Sequence, residues 1–191
     1  VAGKQYRGAP TMTAIAKHMA LGLDVRRAHQ VKALSPAPGT EGGWLAQLED
    51  GAVIRAQGLV VASPVPQTLA LFSAGGEASA LAAAQRSRLE AVRYSPCLAA
   101  MAVLDAPSGM PAPGGVAHGE GPLYWAADSQ LKGISAVPGI VIHADAAYSA
   151  AHLDDDRTAT GKAMVAAAQA AGLLGGASVL QVQVHGWRYS K

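Results

Sequence analysis

Gly58-Leu59-Val60-Val61-Ala62-Ser63-Pro64-Val65-Pro66-Gln67 is the stretch on which the reading of the fold turns. Leu59 to Ala62 is a short unbroken apolar run, the pattern of a strand buried on both faces. Ser63-Pro64 ends it, because proline has no N–H for a sheet ladder and biases the residue before it toward extended or turn geometry. Gln67 to Phe72 then reads as the start of a helix, with Pro64 or Pro66 near its N-terminus. A buried strand, a sharp loop and a helix start aim backbone amides at whatever lies past the strand end.

Working outward, Trp44–Glu49 and Ala52–Ala56 flank Asp50-Gly51. Both turn residues accept positive φ, so this is a hairpin. Before it lie a helix from Thr11, carried by Met12, Ile15, Ala16, Met19, Ala20 and Leu23, and a strand over Val25–Leu34. Ser35–Gly43 is a proline- and glycine-rich loop. After the pivotal stretch come a helix over Glu77–Leu89 and an apolar strand over Cys97–Leu104, then a loop over Ala106–Gly121. Strands at Leu123–Ala127 and Gly139–Ala144 follow. Tyr148–Leu153 is a helical turn, Arg157–Leu174 the longest helix, and Val179–Val184 the last strand. The order is meander-like, not a strict β-α-β alternation. The expectation is α+β: a mixed, mostly antiparallel sheet with helices packed on it, one unit over residues 1–191.

Charged residues make up 15% of the 191 residues, against roughly 25% in ordinary soluble proteins. Net charge is +2 with no basic block and 5% aromatics, which argues against a nucleic-acid partner. One cysteine, Cys97, rules out an intramolecular disulfide and a multi-cysteine metal site, and fits a reducing compartment. No long uncharged apolar run or signal peptide is present. A cytoplasmic protein without a membrane partner is expected. The chain begins at Val1 and stops at Lys191 just after a dense polar-aromatic tail. Both ends read as cut, and the expectation is a fragment of a longer protein.

The sequence holds no Gly-x-Gly-x-x-Gly after a strand, no Walker loop, no paired-histidine metal motif and no nucleophile elbow. Asp154-Asp155-Asp156 suits a solvated helix start better than a metal. His118, His143 and His152 are spaced too far apart for a local ligand set and read as structural. No catalytic residue and no metal ligand is assigned. The densest cluster is His185-Gly186-Trp187-Arg188-Tyr189. It could stack on and hydrogen-bond a planar or anionic small-molecule substrate. Alternatively, Trp187 and Tyr189 pack in the core while Arg188 pairs with a surface carboxylate.

Several motifs occur in order: Tyr-x-Gly-x-Pro-x-Met at Tyr6–Met12, a strand carrying Val31, the Trp44…Asp50-Gly51 hairpin, and Val-Val-Ala-x-Pro-x-x-Gln at Val60–Gln67. Tyr94-Ser95-Pro96-Cys97 and His-x-Trp-Arg-Tyr at His185–Tyr189 complete the series. Together they resemble the middle of an FAD-dependent oxidoreductase of the amine oxidase superfamily, closest to the renalase-like bacterial group. Thr11 departs from the glycine more common in that family. The resemblance implies a substrate domain of an FAD/NAD(P)-binding flavoprotein, with inner cofactor-contacting segments at 1–35 and 58–67. The N-terminal Gly-x-Gly-x-x-Gly unit and a C-terminal closing segment lie outside this sequence, so the isolated piece would be inactive and hold FAD poorly.

By resemblance, Met12, Val31, Ala62 and Pro64 contact FAD, while His185, Trp187, Arg188 and Tyr189 line the substrate cavity. The implied reaction is hydride transfer from substrate to flavin, then reoxidation by O2. The implied substrate is an isomeric dihydro-nicotinamide dinucleotide or an amine. The alternative is a non-catalytic ligand-binding or protein-interaction module.

Overall fold

A computed structural model describes residues 8–39, 42–76 and 81–191. Tyr6, the rest of the expected cofactor segment before Gly8, and the expected helix start at Glu77 lie outside them. Packing divides the chain into two compact units, one comprising the chain up to Leu21 with Tyr94–Lys191, the other Gly22–Arg93. The sequence reading treats 1–191 as one unit. The class is α+β, with two separate sheets. Every strand pairing among the described residues is antiparallel.

Helix α1 (Thr13–Met19) forms at the expected helical spacing but buries none of its residues. Met12, Ile15 and Met19 are exposed.

In the Gly22–Arg93 unit, β1 (Val31–Pro36), β2 (Trp44–Leu48) and β3 (Val53–Ala56) pair in that order. The hairpin is as read. Gln47 faces Val53, Gly51 takes φ +87°, and the Asp50 carboxylate accepts the Ala52 N–H at 3.0 Å. The strand expected from Val25 starts only at Val31. Ala28 at φ +59° turns the backbone out of the extended region, and Asp24 and Arg26 pair locally.

The expected buried strand over Leu59–Ala62 does not form, and Val60 is 92% exposed. A strand buried on both faces needs flanking partners, and no described strand pairs with it. Helix α2 (Val65–Ala74) follows with Pro64 as its N-cap. Its Thr68 and Phe72 are buried, and Phe72 meets Trp44 edge-on at 5.7 Å. Helix α3 (Ala83–Glu90) closes the unit.

The other unit is built on five strands. These are β4 (Cys97–Leu104), β5 (Gly115–Ala117), β6 (Trp125–Asp128), β7 (Gly139–His143) and β8 (Val179–Trp187), in the order β5-β6-β7-β4-β8. Strand β5 falls inside the stretch read as loop, where prolines at 111 and 113 mask a three-residue edge strand. Helices α4 (Ala146–His152) and α5 (Arg157–Ala170) start on Asp145 and Asp156, whose carboxylates accept the Tyr148 and Ala159 amides.

Alternation along β4 sorts the two faces of the sheet. Leu98, Ala100, Ala102 and Leu104 enter a core with Ile140, Ile142, Met164 and Ala168. Cys97, Ala99, Met101 and Val103 take the opposite face. Gly161 on α5 brings the helix close to Val182 and Val184 of β8, where a Cβ would lie 2.9 Å from Val184 Cγ2. A register shift opposite Val103/Leu104 leaves Leu180 as an extra, exposed residue, so Val179 and Val182 both reach the core side.

Candidate functional site: an aromatic trough across the five-stranded sheet

Strand register assembles one row across the face away from the core. Trp125 on β6 faces His143 on β7, His143 faces Ala99 on β4, and Ala99 faces His185 on β8. In the next row Cys97 faces Trp187. Residues in register share a face, so small residues on β4 form a floor between two aromatic walls. One wall is Trp125 with His143, ring centroids 5.3 Å apart at 44°. The other is His185 with Trp187, 4.3 Å apart at 64°. Trp125, His143, Cys97 and Trp187 border a cleft of about 760 Å³ at the sheet end, which also reaches Tyr124, Asp145 and Lys191, while Ala99 is buried beneath the row.

The ionisable groups in the trough differ in availability. Burial pushes the Cys97 thiol up, opposed by the field of Lys191, and its Sγ lies 3.6 Å from the Leu98 carbonyl oxygen. A thiol held protonated is a poor nucleophile. Asp145 accepts the Gly121 and Tyr148 amides, each at 2.7 Å, and these bonds hold its carboxyl below the usual range. Both of its oxygens are already engaged in positioning α4 and the loop before β6. His143 is lowered by burial first, then by Lys132 and Lys191. Lys132 Nζ lies 5.4 Å from the Trp125 ring centre. This keeps the imidazole neutral near pH 7 in a positive surrounding field.

The His185–Tyr189 cluster is split. Trp187 lines the cleft and His185 stacks on it. Arg188 pairs instead with Asp154 at 2.6 Å, both side chains exposed. Tyr189 packs edge-on against Tyr94 at 5.3 Å. The tail is fastened there by Ser95, whose N–H reaches the Lys191 carbonyl at 2.7 Å. His143, Trp125 and Cys97 were not assigned a site role from sequence. Period-two alternation with Ile140 and Ile142 was the available signal that His143 leaves the core.

The expected cofactor residues are spread over both units. Met12 is exposed, its sulfur accepting the Gly8 N–H at 3.3 Å. Val31 opens β1 just after Gln30, which lines a pocket of about 180 Å³ with His29, Glu49 and Asp50. Ala62 lies in the unpaired stretch. Pro64 caps α2, whose N-terminus is a weak anion cradle. Proline at 64 and 66 removes two amides, and the Thr68 N–H bonds the Pro64 carbonyl at 2.9 Å. Among the described residues no three His, Cys, Asp or Glu side chains come together as a metal site, and no helix is long and apolar enough to cross a membrane.

No protein-family profile and no curated protein matches the sequence. The fold is similar to part of reduced UDP-galactopyranose mutase, with a TM-score of 0.54 at 10% identity. The match covers 76% of this chain and 32% of that one, so this chain spans about a third of the mutase's length. The PF1083 protein from Pyrococcus furiosus overlaps 74% of this chain and 34% of its own at 13% identity and a TM-score of 0.48.

Proposed function

We propose that the chain is the substrate-binding part of an FAD-dependent oxidoreductase of the amine oxidase type, resembling the renalase-like bacterial group. The observation that supports this most is the shared fold. Three-quarters of the chain follows a third of a protein described as reduced UDP-galactopyranose mutase. The trough is the substrate site, with Trp187 and His185 on one wall and Trp125 and His143 on the other. The substrate is a small molecule, a dihydro-nicotinamide dinucleotide or an amine. A single cysteine suits a cytoplasmic setting.

Fit to the cofactor is partial. The pocket beside Val31, lined by Glu49 and Asp50, offers acceptors suited to hydroxyl and amino groups, as on an adenosine. The proline-interrupted start of α2 is poor for a pyrophosphate, so those donors belong to parts of the protein beyond this sequence. When bound, the flavin supplies the hydride acceptor and is reoxidised by O2. The chain's own residues then stack the substrate on Trp125 and Trp187 and orient its polar edge toward His143.

The test is the visible absorbance of the full protein as purified. A flavin spectrum that bleaches on adding a dihydro-nicotinamide dinucleotide or an amine, and returns in air, supports the reading. A colourless protein that takes up no added FAD refutes it and leaves a non-redox ligand-binding module.

A further inference from the structure

The five-stranded sheet has two edges, and they are built differently. Strand β5 is three residues long with prolines at 111 and 113 just before it, the short and proline-guarded kind of edge that blocks further pairing. Strand β8 runs for nine residues, Val-Leu-Gln-Val-Gln-Val-His-Gly-Trp, without Asp, Glu, Lys, Arg or Pro. Among the described residues it pairs with β4 alone, and its one irregularity is the register shift near its start.

The bonding of β4 shows which backbone groups of β8 are unused. Leu98 accepts the Ala144 amide and gives its own N–H to Ser149, and Leu104 gives its N–H to Pro138. In an antiparallel ladder successive residues bond to opposite sides. The even residues of β4 thus bond away from β8, and the odd ones bond toward Gln181, Gln183 and His185. That leaves the N–H and C=O groups of Val182, Val184 and Gly186 aimed outward from the sheet.

We propose that β8 pairs antiparallel with β8 of a second copy of this chain, about a two-fold axis at Gln183, joining the two sheets into one. In that register Val182 meets Val184 of the second copy, and the two exchange their free backbone bonds. Gln181 meets His185 and Gln183 meets its own mate, so apolar falls on apolar and polar on polar. Leu180 and Trp187 are the exposed large apolar residues of the strand. They stand three before and four after the axis, so each Leu180 comes beside the other copy's Trp187. Because Trp187 lines the cleft, the second copy contributes to the rim of the candidate site. Arg188 comes opposite Ser178 of the second copy, whose N–H is held by the Asp105 carboxylate at 2.7 Å, so opposite charges meet at both ends. An axis at Val182 or Val184 would instead set Trp187 opposite Ala177 or Gln181 and lose these matches.

The size of the contact sets its strength. Nine residues make a strip about 30 Å long and about 10 Å deep, so about 600 Å² is covered counting both copies, roughly half of a stable interface. The dimer is therefore weak, with a Kd of about 10–100 µM. It holds whether or not the protein carries flavin.

Sedimentation velocity of the full protein, from about 1 µM to about 1 mM, should show a monomer–dimer equilibrium in that range. Gln183→Lys and Gln183→Glu, at an exposed position, set like charges face to face on the axis, and each should leave a monomer with unchanged circular dichroism. Mixing the two variants should restore a one-to-one heterodimer. Leu180→Ser should weaken the dimer about tenfold, since it strips the apolar cover from Trp187. A protein that stays monomeric at every concentration overturns the proposal. So does a dimer that survives Gln183→Lys, which must use another surface. Mixed variants that remain monomeric overturn the axis at Gln183.

Discussion

Gly75→Ala tests how α2 is seated on the three-stranded sheet. Gly75 ends α2 with ordinary φ and ψ, so alanine would meet no strain of its own there. The obstacle is the space. A Cβ would sit 2.8 Å from the Leu34 carbonyl carbon and closer still to its oxygen, both main-chain atoms of β1. Backbone inside a sheet cannot step aside as a side chain can, so α2 must lift off β1 and loosen Phe72 from Trp44. Overpacking of this kind costs about 2 kcal/mol. For a unit of about 70 residues with a urea slope near 1 kcal/mol/M, the midpoint should fall by about 2 M. Trp44 is a local reporter once Trp125 and Trp187 are replaced by Phe, because it touches Phe72.

Gly186→Ala is the matched comparison. Its Cβ would lie 2.8 Å from Arg157 Nη2 and 3.1 Å from Leu153 Cδ1. Both atoms end side chains, not backbone, and the Arg157 Nη1 is buried without a partner among the described residues. Moving that guanidinium toward water relieves an unmet polar group, so the change should stay within about 1 kcal/mol, followed by circular dichroism. Equal effects of the two substitutions, or an unmoved midpoint for Gly75→Ala, would refute the seating of α2 on β1.

Ser149→Ala removes the hydroxyl that accepts the Leu98 N–H at 2.9 Å in a fully buried position. It should cost about 1–3 kcal/mol in chemical denaturation. His143 is lowered in the folded chain, so the unfolded chain binds its proton first as pH falls. This contribution to stability is therefore present above the ordinary histidine range and is lost on acidification through it, and His143→Phe should flatten that slope in melting curves. Arg188→Ala should change stability by only a few tenths of a kcal/mol, since the Asp154 pair is exposed on both sides. A loss of several degrees in melting temperature would show that the pair is more than a surface contact.

Much of the fold was legible where local chemistry decides it. Asp50-Gly51 fixes a hairpin without help from the rest of the chain, and the run Cys97–Leu104 forms β4 with the expected bounds. Asp156 caps α5 as its place before the helix implied. The failures sit where a partner decides. Leu59–Ala62 has the composition of a central strand, yet strands are made by neighbours, and none of the described strands pairs with it. Val25–Gln30 failed through one positive φ at Ala28, which alanine gives no reason to expect. The edge strand β5 was hidden by its prolines because only pairing with β6 reveals it.

The candidate site shows the same division, and parity explains it. His185 and Trp187 are two apart on β8, so both stand on the trough face, opposite Ala99 and Cys97. Gly186 lies between them on the helix side, under Arg157 and Leu153. Arg188 follows the end of β8 and pairs with Asp154, between α4 and α5. A contiguous cluster on a strand therefore cannot be one site. Only its alternate members can be, and the missing half must come from other strands at matching register. His143 and Trp125 supply that half here. Locating them from sequence requires knowing that β7 pairs with β4 and β6 with β7, which is topology, not motif. The facing side chains thus come from three strands, and a change of one residue in the register of β7 would turn His143 into the core and break up the aromatic row.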